Sequence, residues 1–159
     1  MADIKNVTVN SGSLVITASF PLYRSGATIV LSGFVLDDQA IDSNPLIDQS
    51  ARVALVNGGS IVNVNSNRAG VGTLRAYYDD SYNNAWKIAS EIAYSDTMNM
   101  QSGIITVSME YNGETRTVQY TDVVWQNVPI FSINPSSPSA VDLTFSFGDH
   151  STIGEEVLA

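Results

Sequence analysis

Most of the chain alternates apolar and polar residues with period two, the pattern that places one set of a strand's side chains on a core and the other set outside. Val7 and Val9 open it, and from Ser13 to Phe20 the residues Leu14, Ile16, Ala18 and Phe20 share a face opposite Val15, Thr17 and Ser19. Pro21 cannot donate to a ladder and ends the run. Ala27 to Leu36 is almost continuously apolar, which predicts a strand buried on both faces, joined antiparallel to the first across Tyr23-Arg24-Ser25-Gly26. From Asp37 to Ser50 the character changes. Asp37, Asp38, Asp42, Asn44, Pro45 and Asp48 surround Ala40, Ile41, Leu46 and Ile47, predicting a long ordered loop that sets two apolar anchors on another surface, a neighbouring subunit being one candidate.

Arg52 to Asn57 and Ser60 to Val64 flank Gly58-Gly59, a two-residue hairpin signal. Gly70 to Tyr78 alternates again, and then the period switches to that of a helix. Tyr82, Ala85, Trp86, Ala89, Ile92 and Ala93 recur at helical spacing behind Asp79, Asp80 or Ser81 as cap, predicting one packed helix over residues 81–94. Gly103 to Tyr111 and Thr115 to Tyr120 pair across Asn112-Gly113, the strongest local turn signal in the chain. Val123 to Ile133 reads as a strand broken at Pro129, Pro135 to Pro138 as an exposed loop, Ala140 to Phe147 as a last strand, and Gly148 onward as a polar, acidic tail. Together these make roughly eight to ten strands and one helix. The expected fold is mainly β: an antiparallel sandwich or partial barrel in a single domain over residues 1–159.

Composition narrows the functions. With no cysteine, disulfides, thiolate catalysis and cysteine-ligated metals are excluded. The first residues carry no signal-like basic and apolar run, and no stretch approaches the ~20 apolar residues of a membrane span, so neither export nor a membrane partner is expected. Sixteen acidic residues against seven basic ones give a charge of −9, which opposes tight binding to a phosphate backbone. Only 14% of residues are charged while 44% are apolar, the profile of a surface covered largely by neighbours.

Chemistry is sparse. His150, the one histidine, sits in the polar C-terminal stretch, where it reads as solvated and anchors no triad. Asp42-Ser43-Asn44-Pro45 puts proline where a calcium loop needs a ligand and then glycine, so no metal site is assigned. Gly58-Gly59 and Gly70-Val71-Gly72 lack the continuation of a phosphate loop. Trp86, Trp125 and the tyrosines could stack sugars, with core packing the stronger reading for Trp86. No catalytic residue and no cofactor is expected.

Val15 to Pro21, Gly33-Phe34-Val35-Leu36-Asp37-Asp38, Ile41-Asp42-Ser43-Asn44-Pro45-Leu46 ahead of a glycine-containing hairpin, and Asn67-Arg68-Ala69-Gly70 leading to the helix start Asp79 to Asn84 follow in an order that resembles the tail-tube proteins of contractile-tailed bacteriophages. The resemblance rests on that order. It spans Val7 to Phe147 in pattern and order. It implies a virion structural subunit that forms stacked hexameric rings, a hollow conduit for DNA ejection. The partners it implies are further copies, sheath, baseplate and tail terminator; DNA would be a cargo that does not stick. Such a protein is made in the host cytoplasm and resides in the virion tail. Asp37, Asp38, Ile41, Asp42, Leu46, Ile47 and Asp48, with Asn112 and Gly113, are the interface candidates. A terminator, baseplate or capsid-decoration protein, or a carbohydrate-binding sandwich using Tyr77, Tyr78 or Trp125, are the alternatives.

Overall fold

In the computed structural model, residues 9–35, 39–79, 81–131, 135–137 and 139–154 are described. Among these residues ten strands and one α-helix follow in chain order: β1 (Val9–Ser19), β2 (Ile29–Val30), β3 (Ile41–Pro45), β4 (Ser50–Ala54), β5 (Ser60–Val64), β6 (Gly70–Tyr77), α1 (Ala85–Ala93), β7 (Gly103–Tyr111), β8 (Glu114–Asn127), β9 (Ala140–Phe147) and β10 (Asp149–Gly154). The main sheet runs β2-β1-β7-β8-β9-β6-β3 with β10 also on β8, and β4 and β5 form a separate two-stranded ribbon. Its strands pair antiparallel throughout. The expected class, mainly β with one helix, is the observed one; among the described residues the sheet does not close into a barrel.

The alternating runs bury the predicted faces. Ile16, Ala18 and Phe20 of the first run, Leu74 and Ala76 of β6, and Val141, Leu143, Phe145 and Phe147 of β9 enter one core with Ile88, Ala89 and Ile92 of α1. Two glycines of β6 have a packing role. Gly70 pairs with Phe147 and Gly72 with Phe145, and a Cβ on either glycine would lie 2.5 or 2.3 Å from the partner's ring. The phenyl rings lie over bare backbone, which recovers apolar contact at positions that offer no side chain of their own.

At β8, the observed strand differs from the predicted pieces. The runs expected as Thr115–Tyr120 and Val123–Ile133 are one strand of fourteen residues, ending at Asn127 ahead of Pro129. A bulge lets it continue: Ile105 pairs with Tyr120 but Gly103 with Val123, and the extra residue, Asp122, takes φ 57°. Of the expected polar tail from Gly148 onward, Asp149–Gly154 is a strand, β10, and residues 155–159 lie outside the described residues. This strand holds the register of β9 along β8 on either side of Gly148, with Trp125 opposite Phe145 and Tyr120 opposite His150. Composition hid this strand because β8 uses its backbone groups more than its side chains.

Three further expectations are corrected. Ala27–Leu36 is not a doubly buried strand: only Ile29–Val30 pairs with β1, and Val30 is exposed. The chain then crosses the molecule, through Leu31 N–H to Ile16 C=O, to Val35 N–H bonding Arg75 C=O on β6. The long loop at 37–50 contains β3, because Ile41 finds Leu74 as partner and packs on the core. Helix α1 begins at Ala85, since Ser32 exchanges backbone hydrogen bonds with Asn83 and Ala85, which holds Asn84 extended behind a turn closed by Asn84 N–H on Ser81 C=O. Asn84 is the cap, its Oδ1 accepting from Lys87 N–H at 3.2 Å, while Asp79 turns back on Ser81.

The entry to α1 is latched from the other side by Arg24. Its Nη1 donates to Asn83 Oδ1 and its Nη2 to Tyr82 C=O, both at 2.8 Å, and the guanidinium lies 3.8 Å from the centre of the Tyr82 ring. To aim it, Arg24 and Ser25 adopt φ of 50° and 59°, a conformation that L-residues hold only under tertiary constraint. Among the described residues no helix is long and apolar enough to cross a membrane.

Candidate assembly surface

The ribbon β4–β5 leaves the body at Pro45, where β3 ends. Leu46 N–H bonds Ala69 C=O and Asn65 N–H bonds Gln49 C=O, so both legs of the arm are tied at its base. Asn65 and Asn67 fold the returning leg through side-chain oxygens that accept from Asn67 and Ala69 N–H at 2.9 and 2.8 Å. Its tip is a five-residue connection, 55–59, in place of the predicted two-residue turn, closed by Leu55 N–H on Gly59 C=O and Gly58 N–H on Leu55 C=O. Gly58, at φ 89°, supplies the left-handed residue.

Along the arm, Val53 faces Ile61 on one side, while Arg52 faces Val62 and Ser50 faces Val64 on the other. Every residue of both strands is exposed, and Val56 at the tip is 104% exposed. Arg52 bonds Ser60 across the ribbon at 2.6 Å and is the arm's one charge. A two-stranded ribbon without a covered face is marginal in water, and valines and isoleucines on both sides leave it no solvent side. Such a surface marks an interaction site.

A second apolar surface lies after β8. Three consecutive carbonyls, of Val128, Pro129 and Ile130, each receive a hydrogen bond from an aromatic side chain: Tyr94 O–H, Trp86 Nε1–H at 2.8 Å and Tyr78 O–H at 3.2 Å. Tyr78 also lies over Trp86 with ring centres 3.8 Å apart and meets Phe131 edge-on at 5.3 Å. The backbone is thus fixed while Ile130 and Phe131 remain 74% and 68% exposed. Apolar side chains presented on a backbone that is already fixed spare the backbone's share of the ordering cost on docking.

Of the residues singled out in sequence, Asp37 and Asp38 lie outside the described residues. Ile41 and Asp42 belong to β3, with Ile41 half-buried against the core and Asp42 exposed. Leu46, Ile47 and Asp48 are exposed at the foot of the arm. Asn112 and Gly113 are exposed at the β7–β8 turn with φ of 51° and 82°, the paired left-handed conformation such a turn needs. The two groups sit on separate hairpins. The arm itself went unread as a surface, though its sequence carried the signal: Val53 and Ile61 on one face and Val62 and Val64 on the other leave neither face wholly polar.

Chemistry stays sparse in three dimensions. His150 is not in a free tail; it stands on β10 with its ring edge-on to Phe147 and Nδ1 3.1 Å from Arg68 C=O. It borders a groove of about 400 Å³ with Ser43, Asn44, Tyr120 and Thr152, where the Tyr120 and Ser43 hydroxyls bond each other at 2.9 Å. The groove lining offers hydroxyls, amides and one imidazole but no carboxylate to pair with it as acid and base. Among the described residues no three groups are placed to hold a metal ion. Trp125 is 6% exposed, packed with Phe20 and Phe145, and so is withdrawn from any sugar platform.

No family model matches the chain and no curated protein matches it in sequence. A solved structure does share its fold: the tube-terminating cap of the anti-feeding prophage, with TM-score 0.53 at 11% identity, over 97% of this chain and 95% of that one.

Proposed function

We propose that this chain is a structural subunit of a bacteriophage-type tail, polymerising into the stacked hexameric rings of a tail tube that conducts DNA to the host. The observation that carries the reading is the β4–β5 arm, an apolar ribbon exposed on both faces and built onto a fold shared with a tube-terminating cap. An isolated monomer gains nothing from such an arm; a ring or stack covers it. The subunit works without chemistry or cofactor. Its partners are copies of itself, then baseplate, sheath and terminator, and its place is the virion tail. Asp37 and Asp38, Ile41 and Asp42 of β3, and Leu46, Ile47 and Asp48 at the foot of the arm, with Asn112 and Gly113 at the β7–β8 turn, take the contacts between rings. A net charge of −9 suits the lining of a conduit, since phosphates pass a neutral or acidic wall without binding.

A second reading, favoured by the extent of the likeness to the cap, is a terminator: one ring that closes a tube and does not extend it. Negative-stain electron microscopy of the purified protein over a concentration series separates the two. Hollow tubes of unlimited length support the tube subunit, and single closed rings at every concentration support the terminator. A strict monomer at all concentrations, also when mixed with a preformed tail end, rejects both.

A further inference from the structure

The arm and the Ile130–Phe131 surface lie at opposite ends of β6. Leu46 and Ala69, bonded at the arm's foot, adjoin Gly70, the strand's first residue, whereas Tyr78, which pins Ile130 and touches Phe131, follows its last. Eight residues of strand separate the two by roughly 25 Å at about 3.3 Å per residue, and within one copy the arm's strands and Ile130 and Phe131 are all exposed, so the arm does not cover its own Ile130 and Phe131. We infer that the arm of one copy docks on the Ile130–Phe131 surface of the next, a head-to-tail contact; this rests on the assembly reading above and names the surfaces that carry it.

Three observations point to a second copy as the occupant. Both surfaces are apolar and nearly uncharged in a chain of net charge −9: Val128 to Phe131 has no charge and residues 50–64 have only Arg52. Copies therefore repel one another except where these two surfaces meet. The arm's one charge is positive, and the receiving surface is flanked by Asp79, next to Tyr78. Finally, the two surfaces differ in shape, a ribbon and a pair of exposed side chains on a pinned segment. Unlike surfaces at opposite ends of one strand generate rings or stacks, not a closed two-fold pair.

Because the chain has no cysteine, introduced thiols report the contact without background. Val56→Cys and Ile130→Cys, both at exposed positions, are purified separately, mixed, and treated with a short bis-maleimide. A covalent dimer that forms in the mixture, and in neither variant alone, is the expected result, and the double variant yields a ladder of multimers. Multimers visible by microscopy whose thiols link Val56→Cys only to itself, or do not link at all, overturn the docking while leaving the assembly reading intact. Failure to form any multimer, judged by microscopy and light scattering on the unmodified chain, overturns both.

Discussion

The Nδ2 atom of Asn84 stands where a side chain on Gly33 would begin: a Cβ there would lie 2.4 Å from it. Gly33 holds φ 92°, and Asn84, fully buried, spends its amide on Tyr77 C=O at 3.1 Å and its oxygen on the first turn of α1. Gly33→Ala therefore adds a clash to a disfavoured backbone and is expected to lower the unfolding free energy by about 2–3 kcal/mol in urea titration. Asn84→Ala removes the cap at about 1–2 kcal/mol. The two together should cost less than their sum, because the shortened side chain makes room for the new methyl. Full additivity would show that the contact is not what makes Gly33 necessary.

Trp125 gives a prediction of the opposite kind. Among the described residues its Nε1–H is a buried donor with no acceptor, a loss of about 1–3 kcal/mol set against the ring's large apolar contact. Trp125→Phe keeps most of that contact and discards the orphan donor, so its cost should stay below ~1 kcal/mol, against about 3–5 kcal/mol for Trp125→Ala. Thermal melts of the two variants, with secondary structure checked by circular dichroism, decide it. Equal losses would show that the indole nitrogen is satisfied in solution.

At high pH the control passes to Tyr23. Its hydroxyl donates to Glu91 from a buried position; burial first, and then that carboxylate, push its pKa up to about 12 from an ordinary 10. The proton is held more tightly in the folded state, so this contribution is complete below pH 10 and is lost as pH rises through about 12. Tyr23→Phe should be less stable than the parent at pH 8 by about 1 kcal/mol, with the gap narrowing above pH 10. A gap that does not change with pH would rule out the linkage.

How much of this was legible in sequence depends on what each segment uses to hold its place. Ile16, Ala18, Leu143 and Phe145 announce their strands because they bury alternate side chains, and period two is the record of that. Asn112-Gly113 announces its turn because few residues tolerate its dihedrals. β10 and the start of α1 went unread because they are fixed by backbone pairing with β8 and with Ser32, which leaves no trace in side-chain type. The Ile130–Phe131 surface was illegible for a similar reason: its donors Tyr78, Trp86 and Tyr94 lie far from it in the chain.

Replacing residues 50–64 by a short glycine linker should leave the body folded, since the arm's strands contribute nothing to the buried core. The melting temperature is expected to stay within a few degrees of the parent, or to rise as exposed apolar surface is lost, and higher-order particles should disappear from sedimentation profiles. A body that no longer folds would mean that the arm is part of the core's support.

β8 is flanked by β7 and β10 along its first half and by β9 beyond the Asp122 bulge. A pull along this strand meets its hydrogen bonds side by side, so they must shear together; a pull across an edge such as β2, with two paired residues, peels bonds one at a time. The molecule is therefore mechanically anisotropic, stiff along the axis of β8 and weak at its margin, and an assembly that carried load through that strand would draw on its strongest direction.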